Sequence, residues 1–247
     1  MSLPADHPRL KKRPFSESEL IADGLIHAVA ILAAIVGLAV LIMLVALKHG
    51  GVEITATIVY GFALLAMLGF SCAYNLVPAS DLKWILRRFD HSAIYLMIAG
   101  TYTPLITLFD DGVWAWTLAI VVWSGAVLGI VVKLALPGRF DRLSIVAYVV
   151  LGLVVLAAIE PMRRSLPPAT VALVAIGGGL YISGIAFYLW KSLKFHNAIW
   201  HGFVVAAVFC HLAPLTHAMV ASARAGRRAR VGGDPGARRA AMPRALE

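Results

Sequence analysis

Residues 71–104 read SCAYNLVPASDLKWILRRFDHSAIYLMIAGTYTP, and this stretch links the end of one long apolar run to the start of the next. The connector between the two runs is basic, with Lys83, Arg87 and Arg88. Charged side chains are costly inside hydrocarbon, so a basic connector of this kind is typical of a loop at a membrane surface. The stretch therefore predicts two membrane-spanning helices that are joined on one side of a bilayer.

The composition supports the same interpretation for the whole chain of 247 residues, of which 60% are hydrophobic and only 14% charged. In soluble domains about a quarter of the residues are charged. The net charge of +9 comes from lysines and arginines in connectors and tails, which is the pattern of membrane topology rather than of nucleic-acid binding. We therefore expect membrane lipids, and no nucleic acid, as partners. Cys72 and Cys210 each lie inside an apolar run and do not form a disulfide scaffold.

Seven runs with few or no charges follow the polar N-terminal segment: 24–47, 54–77, 91–109, 113–132, 143–159, 168–190 and 195–220. Each can reach the roughly 20 residues that cross about 30 Å of hydrocarbon, although the third and fifth are slightly short. Lipid offers no partner for backbone amides, so all seven are expected to be helices. We predict an all-α integral membrane bundle of seven transmembrane helices over 19–220. A basic tail at 1–18 and a disordered Arg/Gly/Pro-rich tail at 221–247 would flank it.

The distribution of basic residues predicts the orientation of this bundle. Most of those outside the C-terminal tail fall on one side: Arg9, Lys11, Lys12, Arg13, Lys83, Arg87, Arg88, Lys133, Arg139, Arg142, Lys191 and Lys194. The positive-inside rule then puts the N-terminus in the cytoplasm, and seven crossings put the C-terminus outside. The seven arginines of the C-terminal tail run locally against this rule.

Polar residues recur at the same predicted depth in four of the runs. They are Asp23 and His27 at the start of the first, Ser71 and Asn75 in the second, Asp90 and His91 at the start of the third, and Asn197 and His201 at the start of the seventh. Three of the pairs have i,i+4 spacing, which places both side chains on one helix face. Ionisable groups at membrane depth usually face a bundle interior and mark functional sites. The sequence therefore predicts a shared polar pocket near the cytoplasmic surface.

Several of these residues also have a purely structural interpretation, which stays open at this point. Asp90 is a suitable helix cap, His91 points away from it and suits packing, and Asp23 suits the first turn of a helix. Ser71 can bond to the backbone of its own helix. His211 lies about 15 Å deeper than His201 and is left out of the predicted pocket.

Together these residues resemble the hemolysin III family, which belongs with the progestin and adiponectin receptors. The resemblance rests on Glu19-x3-Asp23-x3-His27, Ser71-x3-Asn75, the DHSAIY block that starts at Asp90, the AGTYTP block that ends at Pro104, and the NAIWH block that ends at His201. It covers about residues 19–220 and implies a seven-helix bundle with a cytoplasmic N-terminus in the bacterial inner membrane.

The family resemblance also implies a zinc site on the cytoplasmic side, built from a Ser-x3-His, an Asp and a His-x3-His. In this chain Asp90 and His201 match that pattern. Relatives in the wider superfamily include ceramidases, so the resemblance implies metal-dependent hydrolysis of a lipid amide as one activity, with Asp90 as base and Ser71 in support. Other relatives are ligand-responsive receptors.

The sequence departs from that pattern at two positions, because Asn75 and Asn197 stand where histidine is usual. A neutral amide oxygen is a poor substitute for the nitrogen, sulfur or carboxylate ligands that zinc prefers. One alternative is a rearranged ligand set that recruits His27 and Cys72. The other is a metal-free network in which the two asparagines bond to each other and to Asp90 and His201.

Three functions follow as hypotheses. The first is a hemolysin III-like multipass membrane protein whose polar pocket is metal-free or binds metal weakly and receives a lipid-like ligand. The second is a zinc-dependent lipid amidohydrolase, and the third is a membrane receptor or sensor for such a ligand. The charged residues form no stripe along a helix, which disfavours a wide aqueous pore.

Overall fold

The structure is a computed structural model that describes residues 15–231, with the side chains of the last helix described as far as Ala213 and at Thr216. Within that range the chain is helical with short connections. The elements are α1 Glu17–Lys48, α2 Gly51–Leu76, α3 Asp81–Ile106, α4 Gly112–Ala135, α5 Asp141–Leu153, a 3-10 segment Val154–Ala158, α6 Ile159–Ser165, α7 Pro168–Leu189 and α8 His196–Val231.

The helices form a ring around a central space. Helix α1 packs against α2, α2 against α3, α3 against α4, and α7 against α8, while α5 contacts α3, α4 and α7. The contact of α8 with α1 closes the ring. One end of the bundle carries the starts of α1, α3, α5 and α8 and the end of α2, and we call it the polar end. It is the end at which the family-matching polar residues of α1, α2 and α8 meet.

Six helical segments of the described chain are long and apolar enough to cross a membrane: Glu17–Lys48, Gly51–Leu76, Gly112–Ala135, Asp141–Ser165, Pro168–Leu189 and His196–Ala213. The all-helical membrane fold is therefore confirmed. The remaining predicted crossing falls in α3, which has 26 residues but carries the charged residues of the basic connector in its first turns. The count of seven crossings and the orientation of the termini stay predictions.

Apolar side chains cover the outside of the bundle and also form most of its core, with a few polar groups buried among them. Large apolar residues such as Phe62 and Leu32 are 67% and 66% exposed on the outer surface, as lipid-facing positions require. The buried face of α1 follows a helical repeat through Glu19, Asp23, His27, Ala30, Ala34, Leu38, Leu41 and Val45. This face begins with ionisable residues and continues with small and apolar ones, so the buried ionisable groups of α1 all lie at one end of the interior.

The fifth predicted crossing is interrupted rather than continuous. Helix α5 is followed by the 3-10 segment Val154–Ala158, and α6 continues from Ile159. The Tyr102 hydroxyl of α3 bridges this break, because it accepts a hydrogen bond from Val155 N at 2.8 Å and donates one to Gly152 O at 2.8 Å. Backbone groups that leave the α-helical ladder thereby keep a partner inside the bundle.

The predicted tails lie largely beyond the described residues. Of the N-terminal tail 1–18, residues 1–14 lie outside the described range, while Ser16 caps α1 through a capping box with Glu19. Helix α8 continues to Val231, past the predicted start of the C-terminal tail at 221, and residues 232–247 lie outside the described range.

Candidate functional site

Helix α1 contributes two buried ionisable residues to the polar end. Asp23 is 3% exposed and His27 is 2% exposed. The His27 Nδ1 atom lies 2.8 Å from the Asp23 backbone oxygen. A carbonyl oxygen only accepts hydrogen bonds, so Nδ1 carries the proton and, in the neutral ring, Nε2 presents a lone pair. That Nε2 atom lies 3.1 Å from Ser71 Oγ of α2.

Helix α8 brings His201 to the same hydroxyl. Its Nε2 atom lies 3.2 Å from Ser71 Oγ, and its Nδ1 atom lies 2.5 Å from the Asp23 Oδ1 atom. The His201 and His27 rings meet edge to face with centroids 4.5 Å apart. Asp23 therefore orients both imidazoles, one through its backbone oxygen and the other through its carboxylate.

This arrangement leaves a shortage of protons around Ser71. With both Nδ1 atoms protonated, the two neutral rings present two Nε2 lone pairs to one hydroxyl, which has a single proton to donate. One Nε2 atom then lacks a donor in a buried place, where an unpaired polar group is unfavourable. A cation shared by His27 and His201, either a proton or a metal ion, removes this shortage, and the Asp23 carboxylate balances its charge.

Three residues of this cluster have the chemistry and spacing of a metal site. Asp23, His27 and His201 each offer one ligand atom, and the three atoms lie within 4.8 Å of one another. Histidine nitrogen and carboxylate oxygen suit first-row divalent metals, and three protein ligands are usual where a metal keeps a position for water or substrate. The residues present therefore fit a bound metal ion. Cys72 of the predicted rearranged set does not belong to this group.

The two asparagines form an amide layer beside the cluster. Asn197 Nδ2 donates to Asn75 Oδ1 at 3.0 Å and lies 3.5 Å from Asp23 Oδ2. Asn75 Nδ2 donates in turn to the Ser71 backbone oxygen at 2.8 Å. The predicted contact between the asparagines is thus present, and the carboxylate that joins them in this network is that of Asp23.

Asp90 and His91 lie in α3, just after the basic residues of its first turns. The Asp90 Oδ2 atom is 3.9 Å from His91 Nε2, and the His91 ring meets the Tyr74 ring edge to face. Both residues line the same cavity as Ser71 and His201. Of the predicted pair of Asp90 and His201, only His201 is one of the three grouped metal-capable residues.

A cavity of about 930 Å³ opens beside the cluster and extends along the inside of the ring. Polar residues, among them Ser71, Asn75, Asp90 and His201, line it near the polar end. Apolar side chains such as Met97, Ile98 and Val204 line it further in. A volume of this size, with few polar groups in an apolar wall, is typical of pockets that bind a small molecule.

Glu19 connects the start of α1 with the start of α8, the two helices that carry Asp23, His27 and His201. The sequence did not predict it as a pocket residue. Its Oε1 atom accepts a hydrogen bond from the Phe195 backbone nitrogen at 2.9 Å, immediately before α8. Its Oε2 atom accepts from Ser16 N at 3.0 Å and thereby fixes the start of α1. The available signal was the i,i+4,i+8 spacing of Glu19, Asp23 and His27, which places all three on one face.

Comparisons with known proteins identify the family of this chain. The family model described as "Haemolysin-III related" matches residues 16–212. The chain is 38% identical over 202 residues to the Hemolysin-3 homolog of Bacillus subtilis (strain 168), which covers 80% of this chain and 95% of that protein. It is 36% identical over 188 residues to Hemolysin-3 of Bacillus cereus, which covers 76% of this chain and 85% of that protein. The chain therefore belongs to the haemolysin III family of multipass membrane proteins.

Proposed function

We propose that this protein binds a lipid-like ligand in the central cavity, with the polar part of the ligand at the Asp23–His27–Ser71–His201 cluster, and that the cluster holds zinc. The supporting observation is the continuity of a buried, metal-capable cluster with a cavity whose inner wall is apolar. An amphiphile matches both parts, because its apolar chain can pack against the apolar wall and its polar group can meet the polar side chains at the polar end.

Each residue of the cluster would have a distinct role at this site. His27 and His201 supply ring nitrogens, Asp23 supplies charge and orientation, and Ser71 supplies a hydroxyl between the two rings. Zinc, when bound, supplies a Lewis acid that polarises a ligand oxygen or lowers the pKa of a water. Asn75 and Asn197 hold the Asp23 side of the cluster through amide hydrogen bonds.

The lipid part of the proposal is tested by filling the cavity. Val204→Phe adds a ring to a residue that is 8% exposed and lines the cavity, whereas Val113→Phe makes the same change at a position that is 76% exposed. Mass spectrometry of the purified full chain after a detergent wash measures the lipid retained per molecule. We expect the wild type and Val113→Phe to retain lipid and Val204→Phe to lose most of it. Equal retention in all three would contradict a ligand in this cavity.

A second candidate is a zinc-dependent hydrolase of lipid amides. The favouring observation is that the Asp90 carboxylate lines the same cavity as the cluster, and a carboxylate is a group that can act as a general base. The Ser71 hydroxyl is available to donate to a developing oxyanion. Ceramide is the probe: hydrolysis that a chelator abolishes and that Asp90→Asn lowers by about 100-fold or more would support this activity. Absence of ceramide hydrolysis by the zinc-loaded protein would exclude it for this amide.

A further inference from the structure

The cavity has a second polar region deep inside the bundle, far from the metal-capable cluster. His211 lies ten residues after His201 on α8, which corresponds to about 15 Å along the helix axis. Both histidines line the cavity, and the lining residues of α8 between them, Val204 and Val205, are apolar. The cavity therefore runs from a polar cluster through an apolar section to another polar group.

The His211 ring is held firmly by its surroundings. Its Nδ1 atom lies 2.8 Å from the Ala207 backbone oxygen, and its ring stacks on that of Tyr181 with centroids 5.8 Å apart. A Cβ atom on Gly177 would lie 2.4 Å from His211 Cε1, so α7 has room for this ring only because that residue is glycine. Gly177 and Tyr181 are one turn apart on α7 and together fix the position of the ring.

Two polar atoms of this region have no hydrogen-bond partner within the described part of the chain. The Nε2 atom of His211 and the hydroxyl of Tyr181 make no such bond, although His211 is only 8% exposed and both residues line the cavity. Polar atoms at membrane depth rarely stay unpaired, because no bulk water replaces the missing bond. Because both residues line one cavity, the geometry points to a ligand group as the partner.

We propose that His211 and Tyr181 form a subsite for a hydroxyl group on the apolar part of the ligand. The Ala207 oxygen only accepts, so Nδ1 of His211 carries the proton and Nε2 must receive a proton from the ligand. Ketone, ester and carboxylate oxygens have no proton to give. A hydroxyl donates to Nε2 and accepts from the Tyr181 hydroxyl at the same time. The ligand class is thus an amphiphile with a hydroxyl about 15 Å from its polar head.

This inference rests on the proposed lipid-binding cavity and is tested with two isomeric diols and a mono-alcohol. The probes are 1,12-octadecanediol, 1,2-octadecanediol and 1-octadecanol, added to the full-length protein in detergent, with affinity read from the ligand-dependent rise in Tm. The first probe has a hydroxyl far from its head, the second has both hydroxyls at the head, and the third lacks the additional hydroxyl. We expect the wild type to prefer the 1,12 isomer by about fivefold to thirtyfold, as one or two net hydrogen bonds predict.

Two variants locate the source of that preference. Tyr181→Phe removes one hydroxyl, and His211→Phe keeps a ring between Gly177 and Tyr181 but removes the acceptor. Each should bring the affinity for the 1,12 isomer down toward that for the 1,2 isomer. Tyr95→Phe, at a buried tyrosine that does not line the cavity, is the matched control and should keep the preference.

The outcomes separate this inference from the function on which it rests. Equal binding of all three probes, or a preference that survives both Tyr181→Phe and His211→Phe, would overturn the subsite and leave the lipid cavity standing. Failure of every probe to bind would overturn both. If His211→Phe does not fold, Tyr181→Phe alone decides, because it removes only a hydroxyl that makes no hydrogen bond to a described residue.

Discussion

Ser71 is the residue on which the two histidines of the cluster converge. Its hydroxyl lies 3.1 Å from His27 Nε2 and 3.2 Å from His201 Nε2, and it can satisfy only one of them. A metal ion bound to the two ring nitrogens would replace this hydroxyl as their partner. Ser71 should therefore matter more to the metal-free protein than to the metal-loaded one.

The variant Ser71→Ala tests this dependence. In the metal-free protein it leaves both Nε2 atoms without a donor, which should lower the free energy of unfolding by about 1–3 kcal/mol. With zinc bound, the loss should be smaller, so the rise in Tm between chelator-treated and zinc-loaded protein should be larger than in the wild type. An unchanged rise would show that zinc does not engage these nitrogens. Ser144→Ala, at a buried serine that bonds to the backbone of its own helix, is the control.

At the scale of single elements, the spacing of polar residues predicted which side chains share the interior face of a helix. The i,i+4 pairs Asp23 with His27 and Asn197 with His201 lie on interior faces, because a face follows directly from 3.6 residues per turn. The spacing did not predict which polar group of one helix contacts which polar group of another. Whether His201 meets Asp23 or Asp90 depends on the rotation of α8 against α1 and α3, and local spacing does not encode that rotation.

The break in the fifth crossing also lacked a local signal. Residues 154–158 read VVLAA, and nothing in that apolar string distinguishes a 3-10 segment from a continuous α-helix. The structural reason lies in another element, since Tyr102 of α3 bonds to Gly152 O near the end of α5 and to Val155 N within the 3-10 segment. A hydroxyl from a neighbouring helix stabilises what the segment's own sequence does not specify.

Tyr102→Phe tests that explanation. The change keeps the ring but leaves the half-buried Val155 N–H without its acceptor, which should cost about 1–3 kcal/mol of stability. At roughly 2–4 °C per kcal/mol for a chain of this size, the expected fall in Tm is several degrees. Tyr60→Phe makes the same change at a buried hydroxyl that has no hydrogen-bond partner among the described residues. It should lower Tm by less, and equal losses would argue against a special role for Tyr102.

At the scale of the whole molecule, the polar cluster, the cavity and the basic connectors coincide at one end. Arg87 of α3 and the buried Lys133 of α4 both bond to Asp141 at the start of α5, at 2.6 and 3.1 Å. These contacts join three helices at the end where the sequence predicted the cytoplasmic surface. The positive-inside rule motivates our proposal that the cavity is reached from the cytoplasm.

Labelling of single introduced cysteines checks this orientation. Ala79→Cys lies in the exposed connector between α2 and α3 at the polar end, and Asp110→Cys lies in the exposed connector before α4 at the other end. In intact cells, a membrane-impermeant maleimide should label Asp110→Cys and reach Ala79→Cys only after lysis. The parent chain carries Cys72 and Cys210 and supplies the background signal. The reverse pattern would place the polar end outside.

The zinc content of the purified full-length protein tests the proposed metal centre most directly. Mass spectrometry of the metal should find about one zinc ion per chain in the wild type and in Asp90→Asn, because the metal-capable group consists of Asp23, His27 and His201. Asp23→Asn and His201→Gln should each lose most of it. A wild-type protein that remains zinc-free after exposure to zinc, or one that loses zinc with Asp90→Asn but keeps it with Asp23→Asn, would contradict this assignment.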